Sequence, residues 1–401
     1  MKTITSQKLP IKIWTDFMEE GALNQAEHLA NLPFAFKHIA IMPDTHQGFG
    51  MPIGGVLATK DVVIPNAVGV DIGCGMCAVK TSITEIDKDI LKEIVGEIRK
   101  EIPVGFNHQK KAQDKYLMPN IDIEGLEIVS KEYGSALKQI GTLGGGNHFI
   151  EIQKGSDGHI WIMIHSGSRN LGKQVAEHYN HLAQELNGKY NVGTESEIAI
   201  PSNWQLACLP VYSKEGQAYL KEMKYCVEFA QSNRELMMSR IQSIFFKKVN
   251  EWKGFSLWSN VFPSEMINIA HNYASFENHF GEDVWVHRKG ATLATKDTVG
   301  IIPGSQGSKS YIVKGLGNPD SFMSCSHGAG RKMSRTKAKE ELNLEEEKRK
   351  LDEQGIIHGV RTIKDLDEAS GAYKNIDEVM ENQKDLVEIL VELKTLAVIK
   401  G

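Results

Sequence analysis

Proline and cysteine are both scarce in this 401-residue sequence, with 12 prolines and 5 cysteines. No internal repeat or low-complexity linker divides the chain. An odd cysteine count in a chain of this length excludes a complete disulfide framework and fits a reducing compartment, so the cytoplasm is expected. Cys74 and Cys77 form one C-x-x-C, but no second pair completes a zinc ribbon. No run approaches the roughly 18 apolar residues of a membrane span. The first residues, MKTITSQKLPIKIW, lack the apolar core of a secretory signal. An excess of positive charge is missing too: 46 Lys and Arg face 51 Asp and Glu, a formal net charge of −5. That balance argues against a protein that coats nucleic acid by charge alone, yet it says nothing of where the charges sit.

Glycine is plentiful, 37 in all, and clustered. The clusters are Gly48, Gly50, Gly54 and Gly55; Gly69, Gly73 and Gly75; Gly144 to Gly146; Gly167 and Gly172; and a series from Gly300 to Gly330. Tight turns in a strand-rich fold explain some of them. Others stand beside His, Asp, Asn or Cys, which turns alone do not require.

Strand-like runs cover Lys37 to Met42, Val62 to Ile64, Cys77 to Thr81, Ile160 to Ile164 and Val284 to His287. Residues 173–186 and 216–250 read as helices. From Ile376 the apolar residues Ile376, Val379, Met380, Leu386, Val387 and Leu390 fall on a helical face, with Asn375 as its N-cap. The mixed charges from Lys337 to Glu353 describe a solvated helix. Because the glycine–polar clusters run from residue 44 to residue 331, one large α+β domain over 1–401 is expected.

Several metal-binding side chains sit in these clusters. Asp71 and Cys74 lie three apart in VGVDIGCGM, and Asn147 and His148 follow a triple glycine. His165 closes an alternating run, His271 stands in INIAHNYA and His327 in CSHGAGR. A lone histidine of this kind is most often a hydrogen-bonded structural residue. Several at glycine-rich strand ends, with Asp and Cys, instead offer mixed S, N and O donors that suit zinc, manganese or iron. Residues 160–174 nearly match a phosphate-binding P-loop, but Gln174 stands where Ser or Thr would hold magnesium. Gly167, Ser168 and Arg169 still suit an oxyanion. His327, among small residues and followed by Arg331, Lys332 and Arg335, suits a nucleophile on phosphorus as well as it suits an ordinary turn histidine.

The segments MPDTHQGFGMPIGG, VGVDIGCGM, GTLGGGNHFIE, HSGSRNLG, HNYA, KGA, PGSQGSKSY, SHGAGR, AYKNID and VIKG occur in one order. Together they resemble the RtcB family of GTP-dependent RNA ligases over nearly the whole chain. The resemblance implies an enzyme that joins RNA ends bearing a 2′,3′-cyclic phosphate or 3′-phosphate to a 5′-hydroxyl, in tRNA splicing or RNA repair. It implies His327 as the residue that carries GMP, Asp44 as the residue that orients its ring, and a two-manganese site of Asp71, Cys74, His148, His165 and His271. GTP contacts fall on Asn147, Glu151, Asn272, Ser305, Ser310, Tyr373 and Lys400, and phosphate contacts on Arg169 and Arg331. Glu151 would accept from the guanine N1–H and amino group, and Tyr373 would stack on the base. Ser370, where relatives often carry proline, is expected to loosen the loop that bears Tyr373. A monomer without a membrane anchor is expected. A metal-dependent phosphoesterase and an RNA 3′-phosphate capping enzyme are the alternative uses of the same residues.

Overall fold

The computed structural model describes residues 1–189, 199–254 and 265–401. The architecture is α+β, as expected, and is built on two large sheets. The first has six strands in the order Lys2–Ile4, Ile11–Ile13, Ala35–His46, Ile53–Thr59, Glu282–Lys289, Asn272–His279. The second has seven, ordered Ile267–Ala270, Gly75–Lys80, Ile160–Ser166, Phe149–Gly155, Val387–Lys400, Ser310–Gly315, Val299–Ile302. Pairing is antiparallel throughout except between Ile11–Ile13 and Ala35–His46. The chain crosses from the second sheet to the first at His271, between Ile267–Ala270 and Asn272–His279.

Period-two alternation sorts the second sheet into two faces. Cys77, Val79, Ile150, Ile152, Ile162 and Ile164 share one core cluster with Leu91, Ile94 and Ile98 of the helix Lys88–Glu101 and with Met237, Met238 and Ile241 of the helix Lys214–Lys253. Met76, Ala78, Phe149, Trp161 and Met163 belong to the opposite cluster, so Glu151 and His165 project from that side. The same alternation separates the C-x-x-C: Cys77 is committed to the helix-covered core, and Cys74 stands before the strand in the site loop.

The helix expected over 216–250 runs over Lys214–Lys253, capped by the Ser213 hydroxyl and ended by Gly254 in the left-handed region. The one expected over 173–186 is Arg169–Glu185. The near-P-loop does have a strand before its helix, but that strand is antiparallel to both neighbours, which rules out the parallel sheet of a P-loop fold.

Two expectations are corrected. The helix at Ile376 is capped by Asn375 but stops at Glu381, and Val387 and Leu390 lie in the 14-residue strand Val387–Lys400. The apolar spacing carried across the break by coincidence. Gln383 interrupts the helix with its side chain, which accepts from Ser326 N at 3.0 Å and donates to Ser326 Oγ at 2.5 Å. The charged run 337–353 is two helices, Arg335–Glu341 and Leu344–Glu353, because the Asn343 side chain caps a new helix by accepting from Glu346 N.

Candidate active site at the junction of the two sheets

A cavity of about 1030 Å³ opens where the sheets meet. Its wall includes Asp71, Cys74, His165, His271, His327, Asn147, Glu151, Asn272, Ser305, Arg331, Tyr373 and Lys400, so the structure gathers most of the expected site residues. His148, Asp44 and Ser310 bond to that wall from behind it or alongside, and Arg169 stands near enough to feel the charge of Asp71.

The donor cluster is compact. Cys74 Sγ lies 3.4 Å from His148 Nε2 and 3.3 Å from His165 Nε2, and His165 Nε2 lies 3.3 Å from His271 Nε2. Asp71 Oδ2 is 3.1 Å from His148 Nε2. His148 Nδ1 donates to the Leu143 carbonyl at 2.9 Å, which fixes the tautomer and leaves the Nε2 lone pair directed at the thiol and the carboxylate. Lone pairs from sulfur, nitrogen and oxygen thus converge in a buried space, an arrangement that a cation satisfies. Burial, then His271 beside His165 and His327 beside His271, holds both rings well below the usual imidazole range, in the neutral form that binds metals. Burial followed by Asp71 holds the Cys74 thiol well above its usual value, so a bound cation would have to displace its proton. The donor set therefore fits a divalent metal of borderline softness.

The long helix holds these loops in place, a role that no expectation assigned. Asn233 accepts from Gly141 N and Thr142 N and donates to Thr142 O, Ser166 Oγ and Gly167 O. Arg234 donates to Gly73 O at 3.0 Å and Ser166 O at 2.9 Å. Their signal in the sequence is an Asn–Arg pair inside an otherwise apolar helical face.

His327 follows the short strand Ser324–Ser326. Its Nδ1 is 2.6 Å from Asp44 Oδ2, which also accepts from the backbone N–H groups of His327 and Gly328. Asp44 is fully buried. A carboxylate only accepts, so Nδ1 carries the proton and Nε2 keeps the lone pair. The His327 ring stands 4.8 Å, centroid to centroid, from that of His271, which places it against the donor cluster. Gly330, with φ +71°, is required here: a Cβ would come within 2.0 Å of the Asp44 carbonyl oxygen.

Another part of the wall gathers around two carboxylates. Burial raises Glu151 to about 8, against the opposing pull of Lys400 and the hydrogen bonds from Thr395 and Gln153. Glu368, which was not anticipated, accepts from Arg335 Nε at 2.9 Å, Arg331 Nη1 at 3.3 Å and the Tyr373 hydroxyl, with Lys400 Nζ 3.9 Å away. Arg331 also donates to Met333 O, Asp367 O and the Tyr373 hydroxyl, and lies 5.2 Å over the Tyr373 ring. Arg169 is turned to Thr142 Oγ1 and Gly105 O. Both arginines therefore shape loops in this structure. The Asn272 amide clamps Asp71 O and Gly290 N, and Ser310 supports Gly304 and Gln153.

Ser370 does not loosen its loop. Its hydroxyl donates to Glu347 Oε2 at 3.0 Å and Gly371 N donates to the same oxygen at 3.1 Å, so hydrogen bonds supply the restraint a proline ring would give. Lys289 is a further unanticipated wall residue, whose amine donates to Phe49 O and Asn66 O and is lowered to about 7 by burial. The KGA segment contained it without indicating its place.

Among the described residues no helix is long and apolar enough to cross a membrane. A sequence profile of the family described as tRNA-splicing ligase RtcB matches residues 25–125 and 118–401. The chain is 39% identical to an RNA-splicing ligase RtcB of Escherichia coli K12, with 99% of each chain covered. It is 29% identical to a tRNA-splicing ligase RtcB of Thermococcus kodakarensis, over 98% of this chain and 95% of the relative. Against an RNA-splicing ligase RtcB of Mycobacterium bovis the identity is 31%, over 94% of this chain and all of the relative.

Proposed function

The chain belongs to the RtcB family and is an RNA ligase, and from that premise we propose that it seals RNA 3′-phosphate and 5′-hydroxyl ends through a His327–GMP intermediate. The observation that carries this reading is the 2.6 Å contact between His327 Nδ1 and the buried Asp44, beside the Cys74–histidine cluster.

In the first step the His327 Nε2 lone pair attacks the α-phosphorus of GTP. A P–N bond forms, the bond to the bridging oxygen of the β-phosphate breaks, and pyrophosphate leaves. Asp44 holds the Nδ1 proton and stabilises the positive charge that the ring acquires. An oxygen of the RNA 3′-phosphate then attacks the GMP phosphorus and frees His327. Finally the 5′-hydroxyl loses its proton to solvent and attacks the RNA phosphorus, the bond from that phosphorus to the oxygen bridging to GMP breaks, and GMP leaves as the phosphodiester forms. A 2′,3′-cyclic end must first be opened by water to the 3′-phosphate.

We assign Asp71, Cys74, His148, His165 and His271 to a pair of manganese ions. When bound, these would neutralise phosphate charge and polarise phosphorus. Glu151 accepts the guanine N1–H and amino group and thereby selects GTP over ATP. Asn147, Ser305, Tyr373 and Lys400 complete the nucleotide pocket, while Asn272 and Ser310 hold its loops. Arg331 steadies Tyr373, and Arg169 stands at the phosphates beside Asp71. The chain acts as a monomer in the cytoplasm, a compartment that suits its five buried thiols.

Incubation with manganese and GTP labelled at the α-phosphate should label the protein through an acid-labile, alkali-stable bond. Equal labelling of His327→Ala would sink the mechanism. Opening of cyclic phosphate ends without any need for GTP, and without joining, would favour a phosphoesterase instead.

A further inference from the structure

Phe49 is 73% exposed, and with Val70, at 54%, it is one of two large exposed apolar residues on the cavity wall among the described residues. It lies in the loop between Ala35–His46 and Ile53–Thr59, on the side of the six-stranded sheet. Glu151 and Lys400 rise from the seven-stranded sheet, and the donor cluster occupies the junction.

The exposure is not a consequence of a loose loop. Gln25 Nε2 donates to Gly48 O at 2.6 Å, and Gly48 N donates back to Gln25 Oε1 at 3.0 Å. Phe49 O accepts from Met51 N at 2.8 Å and from Lys289 Nζ at 2.6 Å. Gly50 takes φ +69°, where a Cβ would stand 2.6 Å from Gln205 O. The backbone on both sides of Phe49 is thus held while its ring is left open to solvent at the mouth of the cavity. Holding a phenyl ring in water sacrifices the burial that a small rearrangement would recover. The Lys289 stem packs against Gly69, whose Cβ position lies 3.1 Å from Lys289 Cε, so the loops bearing Phe49 and Val70 meet at one side chain. A flat apolar ring held in water on the wall of a phosphate-handling site matches one element of single-stranded nucleic-acid binding, the stacking face, while the buried Lys289 amine, bonded to Phe49 O and Asn66 O, fixes the loop that presents it.

We propose that Phe49 is the stacking platform for the RNA nucleobase next to the junction being sealed, with Val70 on the same wall. This rests on the ligase reading and adds the part of the substrate that is recognised apart from its reacting phosphate. Every base has a π face, so the platform gives affinity for an RNA end without a sequence requirement.

The test measures joining rate against RNA concentration, together with GMP labelling of His327, for the parent chain, Phe49→Ala and Phe49→Trp. Phe49→Ala should raise KM for RNA by about tenfold or more, and Phe49→Trp should remain within about threefold of the parent. Substrates lacking the base on one or the other side of the junction identify the stacked nucleotide. Removing that base should weaken the parent chain about as much as Phe49→Ala does, and should weaken Phe49→Ala no further. An unchanged KM in Phe49→Ala, or losses that multiply for both base-free substrates, overturns the proposal. So does a fall in labelling that matches the fall in joining, which would mean a disturbed fold. A chain that labels normally but ignores Phe49 refutes the platform alone, whereas a parent chain that never labels refutes the ligase mechanism with it.

Discussion

His327 depends on a single acceptor atom. Asp44 Oδ2 takes hydrogen bonds from the His327 ring and from two backbone N–H groups, so the carboxylate fixes both the loop and the tautomer. Asp44→Asn can place only one group at that position: an amide oxygen keeps the three hydrogen bonds but lacks the charge that steadies the ring as it becomes positive, and an amide N–H moves the ring proton to Nε2 and gives up both backbone bonds. In either orientation the GMP labelling rate should fall by about 100-fold or more. A rate close to the parent's would show that the Asp44 charge plays no part in the attack. In the proposed pocket Glu151 sets a pH dependence of the same sense as an ordinary carboxylate but displaced to a much higher pH window. Burial raises it to about 8, so near neutrality it holds a proton that it must release to accept from guanine N1–H. Affinity for GTP should therefore rise as pH increases from about 7 to 9, and Glu151→Gln should flatten that rise. Calorimetry in buffers of different ionisation enthalpy would detect the released proton.

Among the elements, the helix Leu344–Glu353 shows how a distant segment shapes the proposed nucleotide pocket. Its Glu347 is 3% exposed and accepts from Ser370 Oγ, Gly371 N and Lys350 Nζ, and the loop so held leads directly to Tyr373. Glu347→Ala leaves the Gly371 N–H without its acceptor, at a cost of roughly 1–3 kcal/mol in stability. The expected outcome is a lower denaturant midpoint and a several-fold higher KM for GTP, while the KM for RNA stays near the parent's. Equal rises in both would mean that the loop serves the whole cavity. The same region shows why periodicity misled at the C-terminus. Helical spacing was correct up to Glu381, but the side-chain bonds of Gln383 to Ser326, 57 positions away, are invisible to a local pattern.

The whole molecule resolves the question posed by its negative charge. The cations that follow His327 are largely paired: Arg331 and Arg335 with Glu368, Lys337 with Glu341, and Lys339 with Asp367. Binding therefore releases few counterions. The logarithm of RNA affinity against that of salt concentration should have a shallow slope, roughly −1.4 to −2.1 for two or three phosphates on a single strand. A slope several times steeper would reveal a basic track outside the cavity.

What the sequence determined by itself was the chemistry. Asp71, Cys74, His148, His165 and His327 stand in short glycine-rich segments, and His271 in HNYA, whose wording is local, so it can be read without a fold. Tertiary structure decided which atoms meet. Asp44 and His327 are 283 positions apart, and Cys74 and His165 are 91 apart. It also directed Arg331 to Glu368, committed Cys77 to the core, placed Lys289 and Phe49 on the wall, and exposed the supporting roles of Asn233 and Arg234. The physical reason is that a residue's type fixes its donors, acceptors and charge, whereas its tautomer, proton affinity and partners depend on neighbours supplied by strand pairing and burial.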